Sequence, residues 1–107
     1  YANNVAKFDF NDLCGEPLGS EDYLKLINNI NILFIENVPD FSDENIDKQD
    51  RFITLIDILY DNDIKLVMSV EKSIENLTSS RKLSPKFQRT LSRLNEMKSI
   101  EYWDPFI

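Results

Sequence analysis

Arg89 and Arg93 are the side chains in this sequence best suited to chemistry. Four residues apart on a helix, they share one face. Guanidinium forks bind phosphate oxygens in pairs of hydrogen bonds, so two together suit a phosphate-bearing ligand. The plainer alternative is a solvated or salt-bridged pair, with Glu96 and Glu101 as partners. Glu36 closes the apolar run Leu33-Phe34-Ile35. A carboxylate at such a strand end can hold magnesium in a phosphate-hydrolysing site, where a second acid often follows. Here the next residue is Asn37. Ser69 ends another apolar run, a place for a polar sensor of a phosphate, but Glu71 follows it. Ordinary strand ends explain both more simply.

Much catalytic chemistry is excluded. The chain has no histidine, so the commonest general base and zinc ligand are missing. Its two glycines, Gly15 and Gly19, form no glycine-rich phosphate loop, and no Gly-Lys-Ser or Gly-Lys-Thr occurs. Cys14 is the single cysteine, so no disulfide forms within the chain. Without a histidine to activate it, it reads as a small core residue. The acidic stretch Asp40, Asp43, Glu44, Asp47 and Asp50 lacks the spacing and glycine of a calcium loop, and no metal site is expected. Trp103 and Phe106 are candidates for a partner surface, or for aromatics folded back on their own domain.

With 107 residues, the chain fits one domain. Apolar residues make up 42%, including seven Phe, which is enough for a core. The formal charge of −7 repels a phosphate backbone, so no nucleic-acid partner is expected. No apolar run approaches a membrane-spanning length. The chain opens at Tyr1 without methionine, which reads as a piece of a longer protein.

The elements that must position these residues follow from periodicity. Val5 to Phe10 reads as a strand, and Asn11 to Cys14 as one helical turn stopped by Gly15. Ser20 reads as an N-cap, with Tyr23, Leu26, Ile27 and Ile30 as the stripe of its helix. The continuous run Ile32 to Ile35 suggests a strand covered on both faces and ended by Pro39. Ser42 or Asp43 can cap the next helix, striped by Phe52, Ile53, Leu55, Ile56, Leu59 and Tyr60 and broken at Asp61-Asn62-Asp63. Ile64 to Val70 is a third strand, and Lys72 to Leu77 a short helix. Thr78-Ser79-Ser80-Arg81-Lys82 has the composition of a flexible loop. Ser84-Pro85 opens a last helix with Phe87, Leu91, Leu94 and Met97 on one side. The order β-α-β-α-β-α predicts an α/β fold, a small three-stranded parallel sheet in order 1-2-3 flanked by helices.

Several strings carry a family likeness. They are Phe8-Asp9-Phe10-Asn11-Asp12-Leu13-Cys14, Pro17-Leu18-Gly19 with Asp22-Tyr23-Leu24, and Asn37-Val38-Pro39. Longer ones run from Arg51 to Asp61 and from Phe87 to Met97, and Glu101-Tyr102-Trp103 closes the series. In this order they resemble the C-terminal part of the ZapE-type, or AFG-one-like, P-loop ATPases, which are AAA+-like. The resemblance implies that residues 1–107 are one α/β domain of a larger ATPase, with its Walker A and Walker B motifs upstream. It implies ATP and magnesium for that parent and no cofactor within this segment. The implied partners are the upstream ATPase core and a protein such as FtsZ or a membrane-protein client, with oligomers allowed. The implied location is the bacterial cytoplasm or the mitochondrial matrix side. The resemblance adds weight to Arg89 and Arg93 as nucleotide-proximal and assigns no catalytic residue. The middle of a replication-initiator AAA+ core is a second likeness, which the −7 charge and Asn37 disfavour.

Three functions are therefore open: a coupling or partner-binding segment of such an ATPase, an interaction module without a nucleotide role, and the replication-initiator likeness. A stand-alone enzyme is the weakest reading.

Overall fold

Residues 5–70 and 78–99 are described by a computed structural model of the chain. Strand β1 (Val5–Asp9) leads into the short helix α1 (Phe10–Cys14), followed by α2 (Ser20–Ile27) and β2 (Ile32–Val38). A 3-10 turn (Asp43–Asn45) feeds α3 (Ile46–Asp61), then come β3 (Lys65–Val70) and α4 (Ser84–Ser99). The sheet is parallel throughout in order β1-β2-β3, as the alternation of elements predicts. The short helix predicted over Lys72 to Leu77 lies outside the described residues.

Local chemistry explains each boundary. Asp9 ends β1 by accepting a hydrogen bond from the Asn11 N–H at 3.1 Å, which starts α1 one residue earlier than the pattern suggests. Gly15 ends α1 for a steric reason: a Cβ there would sit 2.6 Å from the Asn11 carbonyl oxygen. Gly19, rather than Ser20, occupies the cap position of α2, because the Asp22 carboxylate reaches back to the Gly19 N–H at 2.9 Å. Ser42 caps the 3-10 turn instead of α3 directly. Its hydroxyl accepts from the Glu44 N–H, and the Asn45 side chain accepts from the Ser42 N–H. Asn62 closes α3 by donating its side-chain amide to the Ile58 carbonyl at 2.8 Å.

One face of the sheet makes the core. Leu33, Ile35, Leu66 and Met68 are buried together with Leu13, Tyr23, Leu55, Ile56 and Leu59 from the helices. At its centre Phe10, Phe41, Phe52 and Phe87 pack ring to ring, with neighbouring centroids 5.4 to 6.0 Å apart. These four rings tie the start of α1, the loop after β2, α3 and α4 into one unit. Side chains alternate along a strand, so Val5, Phe34 and Val67 point the other way. That face is only partly covered: Val67 is buried, Phe34 half-buried and Val5 52% exposed. Burial of β2 on both faces, expected from its unbroken apolar run, is therefore complete only on the helix side.

Candidate functional site

Helices α3 and α4 lie side by side, and a row of polar contacts joins their exposed edges. The Tyr60 hydroxyl meets Glu96, and Asp57 meets Arg93, each pair 36 residues apart in sequence. Asp50 meets Lys86 at 3.6 Å with the same separation. A constant offset means that the two helices run parallel and in fixed register. This follows from the fold: α3 is the crossover from β2 to β3, and α4, after β3, returns along the same side of the sheet beside it.

Asp57 is the hub of the row. Its two carboxylate oxygens serve two different arginines. Oδ1 takes the Arg93 guanidinium, and Oδ2 lies 3.5 Å from Nη2 of Arg89. Arg93 also sits over the Tyr60 ring, its guanidinium carbon 4.8 Å from the ring centre, a cation–π geometry. The arginines differ in exposure: the Arg93 side chain is 22% exposed and that of Arg89 60%. Tyr60 donates its hydroxyl hydrogen to Glu96 at 3.0 Å, and this bond pushes the Tyr60 hydroxyl above its ordinary range.

This placement corrects the sequence reading of the pair's neighbours. The arginines are ion-paired, as the plainer alternative had it, but to Asp57 from a different helix; Glu96 binds Tyr60, and Glu101 lies outside the described residues. The two arginines do lie together, as their spacing predicts. Asp57 and Tyr60 were legible only as helix-face residues: one polar, the other at the edge of an apolar stripe. Both fall inside the Arg51-to-Asp61 string, which is the signal that could have pointed to them.

The strand ends carry a second polar group. Asn37 has a positive φ of 62° and sits where the β2–β3 register breaks. Its side-chain amide donates to Asp9 Oδ1 at 2.7 Å. That bond, then the Asn11 N–H, holds the Asp9 carboxyl below its usual range. Glu36 points instead to Lys7 at 3.6 Å on the open face of the sheet. The structure thus does not bring Glu36, Ser69, Arg89 and Arg93 into one cluster. Trp103 and Phe106 lie outside the described residues.

The segment after β3 departs from its composition. The buried Gln49 side chain accepts from both the N–H and the hydroxyl of Ser80, at 3.1 and 2.6 Å, and donates to the Ser79 hydroxyl at 2.7 Å. Thr78 donates to the Phe41 carbonyl, and the Arg81 N–H and guanidinium both bind Asp43. A stretch that reads as flexible is pinned to the start of α3 by neutral and charged bonds. Asp43 and Asp50 of the acidic stretch thus serve as local ion-pair partners. Among the described residues no three ligating side chains converge on one point.

Cys14 is fully buried. Burial pushes its thiol up to about 12, far from nucleophilic behaviour at neutral pH. The last carbonyls of α1 are taken by neighbours: Tyr23 donates its hydroxyl hydrogen to Leu13 and Arg51 donates to Cys14. The described residues offer guanidinium groups for phosphate oxygens and, among them, no carboxylate cluster for magnesium, and the sequence holds no glycine-rich phosphate loop.

Comparison with known proteins bears on the family. The family model described as AFG1-like ATPase matches residues 1–104. The cell division protein ZapE of Escherichia coli is 33% identical over 94% of this chain and 27% of its own length. Lactation elevated protein 1 homolog B of Danio rerio is 28% identical over 92% of this chain and 26% of its own. An uncharacterized Schizosaccharomyces pombe protein is 41% identical over 71% of this chain and 17% of its own. The chain thus spans about a quarter or less of the length of these relatives. No solved structure matches. The strings that suggested the resemblance and a match over nearly every residue lead to one conclusion: the chain belongs to the AFG1-like ATPase family.

Proposed function

We propose that this chain is the coupling and partner-binding segment of an ATPase, packing against a nucleotide-binding core and turning Arg89 and Arg93 toward its phosphate. The observation that supports it most is the arginine pair on α4, Arg89 exposed and Arg93 half-buried, held as a unit by Asp57. Two guanidinium groups on one rigid helix, backed by a packed core, are the form in which a neighbouring segment stabilises phosphate charge. The nucleotide itself, with magnesium, would be held by parts of the protein outside this chain. The named role of ZapE in cell division suggests a protein partner of that kind.

The test is ATP turnover by the longer protein carrying Arg89→Ala or Arg93→Ala. A fall of about tenfold or more in turnover, with the fold intact, is expected for at least one of them. Undiminished turnover in both would remove the nucleotide role.

A second reading is an interaction module with no nucleotide role. It draws on the open sheet face, where Val5, Lys7, Phe34, Glu36 and Val67 line a shallow 210 Å³ depression. Loss of partner binding on Phe34→Asp, with turnover intact in the arginine variants, would favour it.

A further inference from the structure

Asp57 does more than hold two arginines together. Its carboxylate places one oxygen against each guanidinium, Oδ1 on Arg93 and Oδ2 on Arg89. A phosphate group spanning the same two forks would need the space that this carboxylate fills. Arg89 is the more accessible of the two arginines, its side chain 60% exposed against 22% for Arg93. Arg93 is confined by Asp57 on one side and by the Tyr60 ring on another.

We infer that Asp57 is a built-in competitor for the anion that the arginine pair takes, so that Arg89 makes the first phosphate contact and Arg93 joins only when the carboxylate gives way. This inference rests on the nucleotide-proximal reading and divides the work between the two residues. In it Asp57 is a positioning residue: it pre-orders both forks, and it sets how strongly charged a ligand must be to displace it. A single negative charge gains little against a carboxylate already in place. A polyphosphate brings several charges and can take both arginines. The class of ligand is therefore a di- or triphosphate rather than a monoanion.

The isosteric change Asp57→Asn removes the competing charge and keeps the shape. The probe is inorganic tripolyphosphate, titrated into this chain, which closes its own aromatic core. The Nε–H resonances of Arg89 and Arg93 follow the titration by NMR, with sulfate as the control anion. In the unchanged chain Arg89 is expected to shift first and Arg93 at higher concentration. In Asp57→Asn both are expected to shift together, with affinity raised by about threefold to tenfold. A merely structural Asp57 would leave affinity unchanged or lower it, because losing a clamp disorders the forks. Equal affinity in the two proteins, with Arg89 and Arg93 still responding, overturns the competitor role and leaves the nucleotide reading standing. Should neither arginine respond to tripolyphosphate in either protein, the competitor role is overturned, while the nucleotide reading stands or falls on turnover of the longer protein carrying Arg89→Ala or Arg93→Ala. Arg89→Lys serves as a second check: it keeps the charge, loses the fork, and is expected to lower affinity more than Arg93→Lys does.

Discussion

The two ends of α3 hold the segment that follows β3 by opposite means. Near its start, Gln49 and Phe52 are wholly buried, the first bonded to Ser79 and Ser80 and the second packed on Phe10 and Phe41. Toward its end, Asp57 and Tyr60 meet Arg89, Arg93 and Glu96 at the solvent-facing edge. The first set has no water to turn to if a partner is lost, so every member costs stability when removed. The second set has solvent beside it: the Arg89 side of the cluster is exposed and contributes little net stability, while the Arg93–Asp57 contact is half-buried. One helix thus carries an anchor at one end and an exchangeable contact at the other. Ligand chemistry belongs where exchange is cheap.

The largest test of this contrast is Phe52→Ala. It removes the ring that touches both Phe10 and Phe41, and a loss of about 3–5 kcal/mol is expected in denaturant unfolding. Next is Gln49→Leu, which keeps the volume and strands the N–H and hydroxyl of Ser80. A loss of about 1–3 kcal/mol is expected, with faster amide exchange over residues 78–80. If Gln49→Leu unfolds at the same denaturant concentration as the unchanged chain, the anchor is the aromatic cluster alone. Asp57→Asn comes third, at about 1 kcal/mol or less, and that small cost should shrink further in 1 M salt. A cost as large as that of Gln49→Leu would erase the distinction between the two ends.

The effects of pH are smallest near neutrality and grow toward both extremes. The Asp9 and Asp43 carboxyls lie below their ordinary range in the folded chain, Asp9 chiefly through the Asn37 amide and Asp43 through the Arg81 N–H. Their contribution is present above the unfolded value of 3.8 and is lost as pH falls through the lower folded values. Cys14 works in the other direction. Its folded value of about 12 exceeds the ordinary 9.0, so its contribution is complete below pH 9.0 and declines as pH rises toward 12. Melting temperature should hence be flat between these limits and fall on both sides. Cys14→Ala should lessen the alkaline fall, part of which belongs to the Tyr23 hydroxyl, also pushed up by burial, and a thiol reagent at pH 8 should label Cys14 only as fast as the chain opens.

The fold was readable because two periods dominate the sequence. The apolar runs at Ile32 and Ile64 and the stripe from Phe52 to Tyr60 set the strands and α3, and their alternation set a parallel sheet in order. What escaped was decided by contacts between distant residues. Nothing in Thr78 to Lys82 shows that Gln49, some thirty residues earlier, will bind Ser80. Arg93 has Glu96 nearby in sequence, and only the parallel packing of α3 and α4 gives it Asp57 instead. Even the start of α2 turned on a side chain reaching backward, from Asp22 to Gly19. Local pattern reveals elements, whereas partners depend on how the elements are laid together.

The all-parallel ladder also fixes a timetable for the chain. Val5 must find Ile32, and Ile32 must find Lys65, so each pairing closes a gap of about thirty residues before any bond rewards it. Among the described residues no hairpin is present to nucleate the sheet. Strand β2, the central member, therefore waits on α1 and α2 for its first neighbour and on α3 for its second. Of these three strands, β1 and β2 are able to dock before β3 is made. The arginine edge is then among the last surfaces to form, assembled only after α4 settles onto α3.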